Sequence, residues 1–127
     1  MIYNHEVECF NKDGTTAIEY ALDHCPSLYA EPDVGRMAYA GMDPVAFMKK
    51  YGERIIHLKD FKKNHALDRS EDCFAATGEG ILPLRDVLLA KKYCSVTAQG
   101  LIIDQDASTG DYIEGLAKGY RNVARCL

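Results

Sequence analysis

Arg54-Ile55-Ile56-His57-Leu58-Lys59-Asp60 is a short apolar run that ends in an imidazole, an ammonium and a carboxylate. An apolar strand whose C-terminal end turns polar is where parallel α/β proteins place their chemistry. The pattern recurs along the chain. The first segment offers Asn4, His5, Glu6 and Glu8. A second runs into Glu31-Pro32-Asp33-Val34-Gly35-Arg36. The last ends Ile102-Ile103-Asp104-Gln105-Asp106. Carboxylates and an imidazole from successive strand ends make a site for a hard divalent cation such as Mn, Mg, Co or Zn. The same groups also serve as proton donors and acceptors. A turn-forming role competes for Asp33, which follows Pro32 and precedes Val34-Gly35.

The elements that would carry these ends alternate. Met1 to Glu8 is β-compatible. Thr15 to Cys25 has Ala17, Ile18, Ala21, Leu22 and Cys25 at helical spacing, and Pro26 stops it. Ser27 to Ala30 is a short strand. Asp43-Pro44 opens a helix with an Asp N-cap and proline at the first helical position, and Gly52 follows its end. Arg54 to Leu58 is the next strand. Pro83 starts a helix with Leu84, Val87 and Leu88 on one face. Thr97 to Ile103 is a strand, and Asp111 to Arg125 is a helix with Ile113, Leu116, Ala117, Tyr120 and Val123 as its stripe. The order β-α-β-α-β-α-β-α predicts an α/β fold with parallel pairing and right-handed crossovers. The connection from Asp60 to Leu82, roughly twenty residues, is long enough to be functional, and it leaves on the face that carries His57.

The chain has 127 residues, one domain over 1–127. Its net charge is −4, with acidic and basic residues interspersed, which speaks against a nucleic-acid partner. No apolar run approaches the length of a membrane span, and no signal-peptide pattern opens the chain. The five cysteines are scattered without Cys-x-x-Cys spacing, as expected of reduced thiols in a cytoplasmic protein. Cys25 and Cys94 fall at the ends of helix-like segments, where a thiol usually serves as a small buried hydrophobe.

Taken together, Tyr3-Asn4-His5-Glu6-Val7-Glu8, Pro32-Asp33-Val34-Gly35, Ala40-Gly41-Met42-Asp43-Pro44, Tyr51 to Asp60, Gly78-Glu79-Gly80-Ile81-Leu82-Pro83 and Leu101 to Asp106 resemble the sugar phosphate isomerase/epimerase family, the TIM barrels similar to xylose isomerase. The resemblance covers the second half of such a barrel. It implies four parallel βα units, completed by homo-oligomerisation or by a separate N-terminal half, with a sugar-like small molecule as substrate. It implies a divalent metal held by Asp33, His57, Asp104 and Glu8, with His5 as the alternative match in the first segment. Glu8 and Asp104 would be the carboxylates that shuttle a proton through an enediolate, with Lys59 beside the substrate. Arg36, Glu79 and His5 would touch substrate. Two departures stand out: Asp104 occupies a position where the family usually has Glu, and Arg36 one where several members have His. Arginine cannot act as a base near neutral pH.

Half a barrel leaves two unpaired edges and an uncovered inner face, lined here by Ile2, Ile55 or Ile56, and Ile102 or Ile103. A rearranged open sheet with a helix across that face is the route by which a monomer could survive. The alternative to an isomerase is a truncated, non-catalytic half-barrel or one subunit of a split enzyme. Metal-dependent DNA-repair endonucleases share the fold, but the acidic balance and sparse histidines argue against them.

Overall fold

The computed structural model describes residues 1–51, 55–63, 73–91 and 100–127. Four short strands run parallel. β1 (Ile2–Tyr3) pairs with β2 (Ala30–Glu31), and β3 (Ile55–Leu58) pairs with β6 (Gly100–Ile103). The two pairs meet at a parallel bridge between Asp33 and His57, where the His57 N–H donates to the Pro32 carbonyl at 2.9 Å. The spatial order is therefore the chain order, β1-β2-β3-β6. An antiparallel hairpin of β4 (Asp60–Phe61) and β5 (Phe74–Ala75) leaves the end of β3.

Among the described residues are five α-helices, α1 (Ala17–His24), α2 (Val34–Tyr39), α3 (Pro44–Tyr51) and α4 (Leu84–Ala90) between strands and α5 (Tyr112–Cys126) after the last one. Side-chain oxygens cap four of them. Thr16 accepts from the Glu19 N–H, Asp33 from Arg36, Asp43 from Val45 and Ala46, and Asp111 from Ile113 and Glu114. Each cap satisfies N–H groups that a helix start leaves without an internal partner.

Strand alternation divides the two faces of the sheet. Ile2 and Ala30 pack with Cys9, Ile18, Met37 and Phe47, while Ile56, Leu58, Leu101 and Ile103 pack with Val34, Met48, Leu84, Val87 and Val123. These residues face the helices. Their neighbours Tyr3, Glu31, Ile55, His57 and Ile102 project from the other face. The inner face is thus more polar than expected, and Tyr3 rather than Ile2 belongs to it.

Several expectations shift for local reasons. The first strand stops at Tyr3, because Val7–Cys9 turns into a 3-10 helix. The second strand starts at Ala30, after a turn in which the Leu28 N–H donates to the Cys25 carbonyl. α2 is unanticipated: Val34-Gly35-Arg36 reads as a turn, yet the Asp33 cap makes it a helix. Cys25 is exposed, and among the described residues Cys9 and Cys73 are the buried thiols. On α5 only Gly119 and Val123 are buried, while Ile113 and Tyr120 of the expected stripe face solvent. Gly52, Arg54, His65, Cys94 and the expected strand start at Thr97 lie outside the described residues.

Two close approaches fix the end of β3. A Cβ on Gly35 would lie 1.9 Å from the Lys59 carbonyl oxygen, so only glycine lets α2 start against that backbone. Asp60 is fully buried and collects four backbone N–H donors at 2.8–2.9 Å, from Phe61, Gly78, Gly80 and Leu82. Burial pushes its carboxyl above the usual carboxylate range, and the four donors oppose that push. Asp60 thereby anchors the far end of the long connection to the sheet. Asp60→Asn turns an amide NH2 toward two of those donors. It is expected to cost about 2–5 kcal/mol of stability, read as a lowered urea midpoint at unchanged slope.

Candidate functional site

The strand ends converge on Lys59. Its side chain is 1% exposed, and its ammonium lies 3.3 Å from Asp33 Oδ2, 3.1 Å from Asp104 Oδ2 and 2.8 Å from Asp106 Oδ1. Burial alone would lower the Lys59 pKa. The pull of Asp33 and the hydrogen bonds to Asp106 and Asp104 outweigh it, and the pKa is raised. Asp104 shows the converse. Burial opposes its charge, but Lys59 and then His57 overcome this and hold the carboxyl below the usual range.

Arg36 forms the second cationic centre. It reaches Glu6 Oε2 at 2.5 Å, bonds Asp106, and has its Nε 3.6 Å from Asp33 Oδ2. Burial works against its charge, and the bond to Glu6 with the fields of Asp106 and Asp33 raises its pKa above the ordinary value. Asp33 is the hinge between the two centres. Its backbone N–H and carbonyl bond the Asn4 side chain at 3.0 and 3.2 Å, its Oδ1 caps α2, and its Oδ2 accepts from the Tyr3 hydroxyl at 2.6 Å. Burial, then that bond to Asp33, raises the Tyr3 pKa, so the phenol stays protonated as donor.

His57 lies between two carboxylates, Nε2 3.0 Å from Glu31 Oε1 and Nδ1 3.3 Å from Asp104 Oδ2, with the Tyr3 ring edge-on at 5.1 Å. A cavity of about 400 Å³ opens beside this network. Polar His5, Glu6, Arg36 and Asp106 and aromatic Tyr39, Phe61 and Phe74 all line it. Tyr39 stacks on Phe61 at 4.2 Å. Aromatic lining with a few polar groups is the usual make-up of a small-molecule site. Another cavity, of about 320 Å³, opens among Thr16, Glu19, Met42 and Lys50 and contains none of the network.

Of the residues expected from sequence, the structure brings together Asp33, Arg36, His57, Lys59 and Asp104. His5 is exposed at the cavity rim. Glu8 does not join them: its carboxylate turns back to accept the His5 backbone N–H at 2.8 Å. Glu6 is the carboxylate of that segment that reaches the network. Glu79 pairs with Lys118 of α5 at the surface. Tyr3 is unexpected at the site, and Glu6, Glu31 and Asp106, which the sequence shows only as part of the polar strand ends, join it with specific partners. Strand alternation from Ala30 was the available signal for Glu31, and the Asp104-x-Asp106 spacing the signal for Asp106.

The metal set expected from the resemblance is not assembled around one point. Among the described residues no three His, Cys, Asp or Glu side chains are arranged to hold a metal ion. The Lys59 ammonium sits where Asp33 and Asp104 converge, and both His57 nitrogens face carboxylates. As placed, these residues do not fit a bound divalent cation.

The site and fold define a class: a parallel β/α sheet with helices on one face and a charged cluster at its strand ends. The chain superposes on two crystal structures of a sugar phosphate isomerase/epimerase from Parabacteroides distasonis ATCC 8503. The TM-score is 0.63 in both, at 18% sequence identity, over 98% and 97% of this chain. The match covers 44% and 43% of those chains, so this chain spans less than half their length. No protein-family model matches the chain, nor does any curated protein. None of the helices among the described residues is long and apolar enough to cross a membrane.

The lowered Asp104 pKa sets a pH window. Its stabilising contribution is complete above the ordinary carboxylate value of about 3.9 and is lost as pH falls through the lower folded-state value. Wild type and Asp104→Asn should therefore differ in urea midpoint near neutral pH and converge in acid.

Proposed function

We propose that the chain carries the strand-end site of a sugar phosphate isomerase/epimerase-like protein, one that moves a proton beside a carbonyl of a sugar or polyol. The observation that supports this most is Lys59, a buried ammonium held by carboxylates from two other strand ends and flanked by Arg36 at the edge of a cavity. The fold likeness to the isomerase structures supports the same reading.

In this reading the cavity takes the sugar with its apolar ring face against Tyr39, Phe61 and Phe74. Removing a proton next to the carbonyl builds negative charge on its oxygen. Arg36, which lines the cavity, is the fixed positive charge for that oxygen, already oriented before the reaction begins, and the buried Lys59 behind it holds the carboxylates in place. Asp104 is the base. It is part-exposed, and Lys59 and then His57 hold its carboxyl below the usual carboxylate range. Asp104, protonated by that step, returns the proton to the neighbouring carbon, while Asp106 keeps its bonds to the two cations. A phosphate group on the substrate would meet Arg36 by displacing Asp106 or Glu6. No step runs through a metal, because the donors are committed to Lys59 and to one another.

A second reading, a non-catalytic half-barrel that binds a sugar without turning it over, is favoured by one observation: both cations already hold carboxylates. Incubation with a panel of aldose and ketose phosphates in D2O, followed by proton NMR, separates the two. The isomerase reading predicts loss of the signal of the proton beside the carbonyl, slowed at least about a hundredfold by Asp104→Asn. Binding without any exchange across the panel would leave only the second reading.

A further inference from the structure

The carboxylates around Lys59 form a cage with the dimensions of an ammonium site. Asp33 Oδ2, Asp104 Oδ2 and Asp106 Oδ1 stand 3.3, 3.1 and 2.8 Å from Nζ. Nitrogen donors meet oxygen at about 2.7–3.2 Å. Oxygen ligands approach Mg, Zn or Ca more closely, at about 2.0–2.6 Å. A divalent ion at this point would need all three carboxylates to close in on one another.

Those carboxylates are held where they are. Asp33 Oδ1 caps α2, and its Oδ2 accepts from the Tyr3 hydroxyl at 2.6 Å. Asp106 Oδ2 bonds Arg36. His57 Nδ1 faces Asp104 at 3.3 Å and Nε2 faces Glu31 at 3.0 Å, so both imidazole nitrogens are engaged. The occupant is held too. The Lys59 side chain is buried, and its backbone carbonyl abuts Gly35, where a Cβ would lie 1.9 Å from the oxygen. A divalent ion would have to expel the ammonium, or else sit against the like charges of Lys59 and Arg36.

We infer that the strand-end cage is an alkylammonium site whose resident ligand is the Lys59 side chain, standing in place of the divalent cation that carboxylates and an imidazole at strand ends would otherwise hold. The ammonium is a compact charge on a four-carbon stem. Truncation at Cβ, as in Lys59→Ala, leaves a space with the shape of n-propylammonium between Asp33, Asp104 and Asp106. That free ion is the ligand the emptied cage takes. The inference concerns what fills the cage, and it stands whether or not the site turns over a sugar.

Two measurements on the full chain test it. In the wild type, Mn2+ titrated into metal-stripped protein should cause no saturable broadening of the Lys59 side-chain NMR signals, because a paramagnetic ion in the cage would lie within a few ångströms of them. Broadening that saturates at one ion per chain overturns the inference. In Lys59→Ala, with far-ultraviolet circular dichroism checking the fold, n-propylammonium chloride should raise the urea midpoint saturably above its value in sodium chloride of equal ionic strength. The same salt should leave the wild-type midpoint unmoved. Tetramethylammonium, wider and without N–H donors, should not replace it. A midpoint of Lys59→Ala that is the same in all three salts overturns the inference. Should Lys59→Ala fail to fold, the Mn2+ titration of the wild type decides alone.

Discussion

A buried ammonium has to be compensated where it stands, and Lys59 is compensated by carboxylates from two other strand ends. Taking either sign of charge out of water costs several kcal/mol, and removing one partner of such a pair costs about 3–5 kcal/mol because the other charge is left alone. Asp33, Asp104 and Asp106 therefore cannot drift from Lys59, nor Lys59 from them. The requirement ties the end of β2 to β3 and to the segment after β6, residues that the hydrogen-bond ladder joins only through short pairings. The same charges form the candidate site, so what holds the sheet together at this end also prepares it for anionic chemistry.

Lys59 reaches that position through backbone constraints. Gly35 lets α2 begin against the Lys59 carbonyl, which brings the Asp33 cap within reach of the ammonium. One residue on, Asp60 turns the chain into the β4–β5 hairpin and gathers Gly78, Gly80 and Leu82 beneath it. His57, Lys59 and Asp60 are near neighbours in sequence with separate tasks. His57 lies on the inner face between two carboxylates, Lys59 organises the charges, and Asp60 holds a loop.

Much of this was legible in the sequence because it rests on local signals. The Asp43-Pro44 cap, the apolar run ending at Leu58 and the α5 cap at Asp111 each fix an element from adjacent residues. Polar residues at several strand ends made the location of the site readable as well. What could not be read depends on distant partners. Whether Asp33 binds a metal or a lysine is decided by where the Lys59 side chain points. Whether Glu6 or Glu8 reaches the site is decided by a single 3-10 turn at Val7–Cys9, which rotates Glu8 back onto His5. Periodicity shows the apolar stripe of α5 but not what covers it: Val123 is buried, while Ile113 and Tyr120 face solvent.

The central claim is that Lys59 is a charged ammonium enclosed by carboxylates. Heteronuclear NMR of the lysine side-chain carbons and nitrogen, followed with rising pH, tests it directly. Lys59 should stay protonated past the ordinary lysine value of about 10.4, and the stability it contributes should fade only as the pH climbs through its raised folded-state value. A Lys59 resonance that titrates at or below the ordinary value would contradict the account.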